Sequence, residues 1–370
     1  MIYLDYQATT PVAPEVAAAM RPWIEEKFAN PHSPSRWGAE AAAAIEHSRD
    51  QILTEIGLDE GRFIFTSGAT EALNWAIKGT IERSERRKIV TIATEHAAVL
   101  DSCEWLEGRG YQVVRLGVGA DGLVDLAEAE EAIDARTALV AAMLVNNEIG
   151  TIQPVAALAE LAHRVGAVML CDAVQGFGRV DLPDAADLIA MSGHKVHGPK
   201  GVGGLWIRKG REPAPLMHGG GQEAGLRSGT LSPALCVGLG AAARIANERR
   251  AADHAHVARL FEVALATLGE GWVLNGGIEQ RYRGNINIRR DGLDAARLVG
   301  ELRNLAFSLG SACASGSGRP SHVLRAIGLS DRQARSSIRL GFGRMTGKAE
   351  LVSACRTIAA AADAQASYAA

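Results

Sequence analysis

Residues 138–145 read Ala138-Leu139-Val140-Ala141-Ala142-Met143-Leu144-Val145, eight apolar residues with no polar break. A strand with one face in water alternates apolar and polar side chains. An unbroken run points instead to a strand covered on both faces, the habit of parallel sheets. Shorter runs repeat the pattern on either side: Arg62-Phe63-Ile64-Phe65-Thr66, residues 88–93, 168–171 and 188–191. Helical stretches fall between them, at 70–78, near 99–107, and from Pro154 to about 165, where proline suits a first turn. This alternation predicts an α/β fold, a mainly parallel sheet with helices on both faces. Ligands of such sheets sit beyond the carboxyl ends of the strands, so the polar residues just after each strand matter most.

After about residue 248 the pattern changes. A helix over 247–268 leads to the alternating strand Asn285-Ile286-Asn287-Ile288, then a helix, a Gly/Ser-rich loop and a strand at 337–340. A large domain of residues 16–248 is expected, with a smaller α+β domain formed by residues 1–15 and 249–370. A chain of 370 residues suffices for two such units. The 39 basic and 42 acidic side chains leave a net charge of −3, with no bulk attraction to nucleic acid or a membrane surface. The run at 138–145 is far short of the roughly 20 residues of a membrane span. No basic stretch precedes an apolar one at the N-terminus, so a cytoplasmic setting is expected. Five cysteines, an odd number without a C-x-x-C, argue for reduced thiols and against a disulfide framework or a zinc ribbon.

Several strand ends carry residues with a possible chemistry. Ser67-Gly68-Ala69-Thr70 joins a strand to a helix start and suits either an ordinary cap or a phosphate. Ser192-Gly193-His194-Lys195 runs into a glycine-rich loop. A lysine there is either solvated, as most are, or a Schiff-base lysine flanked by phosphate donors at Ser192 and His194. Asp172, in Cys171-Asp172-Ala173-Val174-Gln175, either caps a turn or keeps a pyridine nitrogen protonated, with Gln175 near a ring hydroxyl. His96 follows Thr94-Glu95 at another strand end, where it is structural or moves protons against a flat cofactor. Cys313 lies in Ser308-Leu309-Gly310-Ser311-Ala312-Cys313-Ala314-Ser315-Gly316-Ser317-Gly318, a run of small residues that builds no rigid core. A thiol so placed is an incidental loop cysteine or a nucleophile that picks something up and carries it away. Arg339 and Arg344, in Ser337-Ile338-Arg339-Leu340-Gly341-Phe342-Gly343-Arg344, suit a salt bridge or a substrate carboxylate.

The order of these motifs, from Tyr3-Leu4-Asp5-Tyr6-Gln7-Ala8-Thr9-Thr10-Pro11 through TEH, NNE, DAVQ, SGHK, RSGT, GSAC and SIR, resembles the cysteine desulfurases. These are class V members of the fold-type I pyridoxal-phosphate enzymes. The loop before Pro320-Ser321-His322-Val323-Leu324-Arg325 is similar to that of the iron–sulfur assembly group. The resemblance implies removal of sulfur from L-cysteine, giving L-alanine and a persulfide on Cys313 that passes to an acceptor protein. It implies that Lys195 holds pyridoxal 5'-phosphate, Asp172 pairs with its ring nitrogen, Gln175 meets the ring oxygen and His96 stacks on the ring. Ala69, Thr70, Ser192 and His194 would bind the phosphate, and Asn147 would lie at the cofactor and the substrate. Thr230, in Arg227-Ser228-Gly229-Thr230, would reach the phosphate of a neighbouring subunit, which implies a homodimer with shared sites. Asn147, Arg339 and Asn30 would orient the substrate, and Lys195, His96 and Cys313 would carry the chemistry; no metal ligand is assigned, and a cluster contact through the Cys313 persulfide stays an open candidate. Two departures stand out, Ala224 where arginine is expected and Leu309 where serine is usual. A small-molecule aminotransferase or lyase of the same class would need Lys195 and Asp172 but not Cys313.

Overall fold

The structure is a computed structural model and describes residues 1–310 and 320–369. Its strands are β1 (Ile2–Tyr3), β2 (Gly61–Thr66), β3 (Lys88–Ile92), β4 (Gln112–Leu116), β5 (Thr137–Met143), β6 (Val168–Asp172), β7 (Leu188–Ser192) and β8 (Gly203–Arg208). They continue with β9 (Val273–Leu274), β10 (Asn285–Arg289), β11 (Leu305–Ala306), β12 (Ser308–Leu309) and β13 (Ser337–Gly341). Seven of them form one sheet in the order β2-β8-β7-β6-β5-β3-β4. The pairs β4–β3, β3–β5, β5–β6 and β6–β7 are parallel. β8 runs antiparallel to both neighbours, β2 and β7. The run at 138–145 supplies β5, an interior strand of this sheet between β6 and β3, and every residue of β5 is buried. Strand alternation feeds two apolar layers: Phe63, Phe65, Val140, Met169 and Cys171 face one, and Ile64, Leu139, Ala141 and Leu170 the other.

Sequence patterning did not reveal β8, because it opens on Gly203-Gly204. Both glycines answer a close approach. A Cβ on Gly203 would lie 2.8 Å from Gly68 Cα, and one on Gly204 would enter the Phe63 ring. β8 is thereby drawn against the turn at 67–70, which it helps to hold at the sheet's carboxyl edge.

The second body is the antiparallel sheet β12-β13-β10-β9, with the parallel pair β1–β11 beside it. Its core gathers Leu4, Ile286, Ile288, Ile338, Leu340 and Phe342. Residue 248 lies inside one uninterrupted helix, Pro233–Leu268, where a helix starting near 247 was expected. Ser232 caps it by accepting a hydrogen bond from Leu235 N–H. Its early residues Cys236, Leu239 and Ala243 pack on the large sheet, and Leu260, Phe261 and Leu268 on the small one. From β1 the chain crosses to the large sheet's edge, where Thr10 N–H donates to the His194 carbonyl at 2.8 Å.

Candidate active site

Five segments end at the carboxyl edge of the large sheet. Residues 67–70 follow β2, His96 follows β3, Asn147 follows β5, Asp172 closes β6, and His194 and Lys195 follow β7. Together with Gln7, Ala8 and Thr9 from the N-terminal segment and Arg339 from β13, they line one cavity of about 680 Å³.

At one end of the cavity starts the 14-residue helix Ala69–Glu82, whose N-terminus has no side-chain cap. Its unpaired N–H groups, the Thr70 hydroxyl, Ser192 and His194 make an anion-binding end. Asp172 lies deeper. Its Oδ1 accepts from Val174 N–H at 2.9 Å, and burial pushes the carboxyl above its ordinary range against the pull of that bond and of His96 and Lys195. A buried carboxylate facing a cavity suits a protonated ring nitrogen. His96 caps the helix Ala97–Glu107, its Nδ1 accepting from Ala98 N–H at 3.1 Å. That bond leaves the Nε2 position to carry the proton of the neutral ring. Burial holds the ring's pKa below its ordinary value, opposed by the charge of Asp172.

Lys195 closes the short turn Gly193–Lys195, and its Nζ donates to the carbonyls of Gln7 at 2.5 Å and Ala8 at 2.9 Å. Gln175 Nε2 donates to the same Gln7 carbonyl at 2.9 Å. Across the cavity, Arg339 is 1% exposed. Its Nη1 donates to the Asn147 carbonyl at 3.0 Å, and its Nη2 donates to Asp5 Oδ1 at 2.8 Å and to Ser308 Oγ at 3.3 Å. It makes the salt bridge read for it and also lines the cavity. Its Nε is a buried donor with no partner among the described residues.

The cavity gathers Ala69, Thr70, His96, Asn147, Asp172, Gln175, Ser192, His194, Lys195 and Arg339. Two expected residues lie elsewhere. Asn30 is not among its lining residues; its Oδ1 accepts from His32 N–H at 2.9 Å, beside a separate hollow lined by Pro31, His32 and Arg49. Thr230 is exposed and outside the cavity of its own chain. Arg344 leaves β13's line and pairs with Asp253 at 2.6 Å instead of facing the cavity. Cys313 lies outside the described residues. The other four cysteines are buried; burial pushes the thiols of Cys103, Cys236 and Cys355 up to about 12 and raises that of Cys171 as well. Sequence patterning gave no role to Gln7, Ala8 and Thr9, or to Asp5. Their signal was the N-terminal motif itself, whose polar residues follow a strand of only two residues.

The description "Aminotransferase class-V" matches residues 2–353. The chain belongs to the class-V aminotransferase family. Cysteine desulfurase IscS of Rickettsia rickettsii (strain Iowa) is 43% identical over 361 residues, covering 95% of this chain and 88% of that protein. A solved structure described as a NifS-like protein superposes with a TM-score of 0.91 at 33% identity, covering 97% of this chain and 98% of the other. Another, described as SspA in complex with cysteine, gives 0.83 at 37% identity, covering 92% and 99%. Within the class-V family the chain falls in the cysteine desulfurase group, enzymes of fold type I that depend on pyridoxal phosphate. The cavity fits that cofactor, with an uncapped helix end for a phosphate, a buried carboxylate for a ring nitrogen and a lysine amine between them. Among the described residues no helix is long and apolar enough to cross a membrane, and no cluster of three His, Cys, Asp or Glu side chains is set to hold a metal.

Proposed function

We propose that the protein is a pyridoxal-phosphate-dependent cysteine desulfurase serving iron–sulfur cluster assembly, with Cys313 as the sulfur-receiving nucleophile. The observation that carries this reading is the convergence of Lys195, Asp172, His96 and Arg339 on one cavity. Thr70, Ser192, His194 and the N–H groups at Ala69 hold the cofactor phosphate, Asp172 the ring nitrogen and Gln175 the ring oxygen. When bound, the cofactor supplies a carbonyl for the substrate amine and an electron sink beside Cα. Arg339 and Asn147 hold the substrate carboxylate. Lys195 accepts the Cα proton, and His96 moves a proton through Nε2, since its Nδ1 is engaged by Ala98. The Cys313 thiolate attacks the substrate sulfur. An S–S bond forms, the C–S bond breaks with its electron pair left on the carbon skeleton, and protonation releases alanine. The persulfide then passes to an acceptor protein, an iron–sulfur scaffold, in a cytoplasmic setting that keeps the thiol reduced.

Residues 16–248 act as the cofactor-binding unit, and residues 1–15 with 249–370 as the unit that presents Cys313. Thr230 serves the cofactor phosphate of a second copy in a homodimer. Its exposure outside its own cavity supports this. Asn30 contacts substrate, in this reading, only when it belongs to the neighbouring copy.

The test is alanine and sulfide formation from L-cysteine by the purified protein, beside its Cys313→Ser variant. Cofactor absorbance with sulfide release lost in Cys313→Ser supports the reading. Keto-acid-dependent transamination that survives Cys313→Ser would replace it with an aminotransferase. A monomer by light scattering, with cofactor retention unchanged in Thr230→Ala, removes the shared-site part alone.

A further inference from the structure

Behind the cavity, Arg179 spans two loops that carry cavity residues. It sits on the turn after β6, half-buried, with its guanidinium 5.2 Å from the centre of the Tyr282 ring. One arm, Nη1, donates to Gln175 Oε1 at 2.5 Å. The other, Nη2, donates to the backbone carbonyl of Lys195 at 2.5 Å. A planar guanidinium holds both contacts in one rigid fork, which an ammonium cannot do.

The first contact decides which end of Gln175 meets a ligand. A side-chain amide has an accepting oxygen and two donor hydrogens. Here the oxygen is taken by Arg179, and one N–H is taken by the Gln7 carbonyl. The opposite flip would set the amide nitrogen against the Arg179 donors and the amide oxygen against the Gln7 carbonyl. Gln175 lines the cavity, so the group left to offer there is its second N–H, a donor. A donor at this place selects a ligand oxygen that carries negative charge. The second contact fixes the backbone of Lys195, whose amine donates to the same Gln7 carbonyl.

We infer that Arg179 is a positioning residue: it locks Gln175 as a hydrogen-bond donor toward the ring oxygen of the cofactor and holds the Lys195 backbone in register with it. This rests on the cofactor placement proposed above. Arg179 touches neither cofactor nor substrate and acts through its two neighbours.

The experiment is a double-mutant cycle read by cofactor binding. Apo-protein of the wild type, Arg179→Met, Arg179→Lys, Gln175→Ala and Arg179→Met/Gln175→Ala is titrated with pyridoxal phosphate, following absorbance, and each apo-protein's Tm is measured. Arg179→Met is expected to weaken cofactor binding about tenfold and to shift the bound cofactor's absorption maximum. Arg179→Lys should recover less than half of that loss on a logarithmic scale, because one ammonium cannot serve both acceptors. In the Gln175→Ala background the same Arg179→Met change should cost no more than about threefold, the non-additivity expected of residues that act as a unit. Equal effects in both backgrounds, full recovery by lysine, or a fall in Tm with unchanged affinity and absorption would overturn the proposal. A wild type that binds no pyridoxal phosphate would overturn the cofactor placement and this proposal together, whereas additivity in a wild type that binds it overturns this proposal alone.

Discussion

The two walls of the cavity hold their groups by different means. On the large-sheet wall, Thr70, His96, Asp172 and Lys195 each lie within a few residues of a strand end, and backbone geometry delivers them. Their side chains are not at ease there: burial raises the Asp172 carboxyl and lowers the His96 ring. On the opposite wall, Arg339 is fixed by a network of side chains and carbonyls. Asp5 and the Asn147 carbonyl hold it, Asn285 Nδ2 donates to that same carbonyl at 3.3 Å, and Asn287 Nδ2 donates to the carbonyls of Glu148 and Gly310, each at 3.1 Å. The first wall sets chemistry aside from stability, while the second merges them.

The sharpest way to break that contrast is to remove a group from each wall. Lys195→Ala is expected to lower sulfide release by about 10⁴-fold, while its unfolding free energy in the apo form falls by only about 2 kcal/mol, the cost of its two hydrogen bonds to the Gln7 and Ala8 carbonyls. Denaturant melts beside turnover assays check both halves. Arg339→Met should fail on both counts. It leaves Asp5 without its cation and the Asn147 carbonyl with only the 3.3 Å bond from Asn285, and it is expected to cost about 4 kcal/mol of stability as well as substrate affinity. An Arg339→Met protein as stable as wild type would erase the distinction between the walls.

A third prediction tests the seam between them. His197 has φ 63° and donates from Nδ1 to the Pro11 carbonyl at 3.0 Å. Burial, with Arg344 and Arg179 nearby, pushes its pKa down from 6.5 to about 4. The unfolded chain takes that proton near pH 6.5 and the folded chain only near pH 4. The stabilisation is therefore complete above pH 6.5 and is lost as pH falls to about 4, by roughly 3 kcal/mol. His197→Asn, a residue that tolerates the left-handed backbone, should flatten this acid limb in melts from pH 7 to pH 4.

The smallest effect belongs far from both walls. Glu55 is buried against Arg250, 2.7 Å away, and burial raises its pKa to about 7 despite that partner. The proton held by the folded chain is given up as pH rises through 7, and the stability it carries goes with it. Glu55→Gln should therefore gain on wild type by about 1 kcal/mol between pH 6 and pH 8, with turnover unchanged. Melting curves at the two pH values measure the gain.

The contrast between the walls also explains what could be read in the amino-acid sequence. Groups at strand ends are legible, because an apolar run followed by a polar residue marks the edge where ligands sit. Asp172, Lys195, His96 and the turn at 67–70 were all visible this way. The network itself is not: Arg339 was marked by its charge in an apolar strand, but its partner Asp5 lies 334 residues away and no local pattern joins the two. β8 escaped notice because its two glycines answer neighbours distant in the chain. The helix over 247–268 was placed too short, since residues 233–246 are rich in small residues that pack as helix only once the helix Arg36–Ile56 is beside them. Gly240 shows the reason: a Cβ there would come within 2.7 Å of Ser48 Cα.

That same helix, Pro233–Leu268, runs for 36 residues, about 54 Å at 1.5 Å per residue. It is a single rod planted in two hydrophobic cores. A gene fragment ending at residue 248 would encode a polypeptide with half a rod and a bare apolar stub, and the complementary fragment would begin with the other stub. Neither body can be inherited, swapped or expressed alone along that line. A split version of the protein should be divided in an exposed turn, such as that at Lys209 and Gly210, so that the rod passes whole to one of the two pieces.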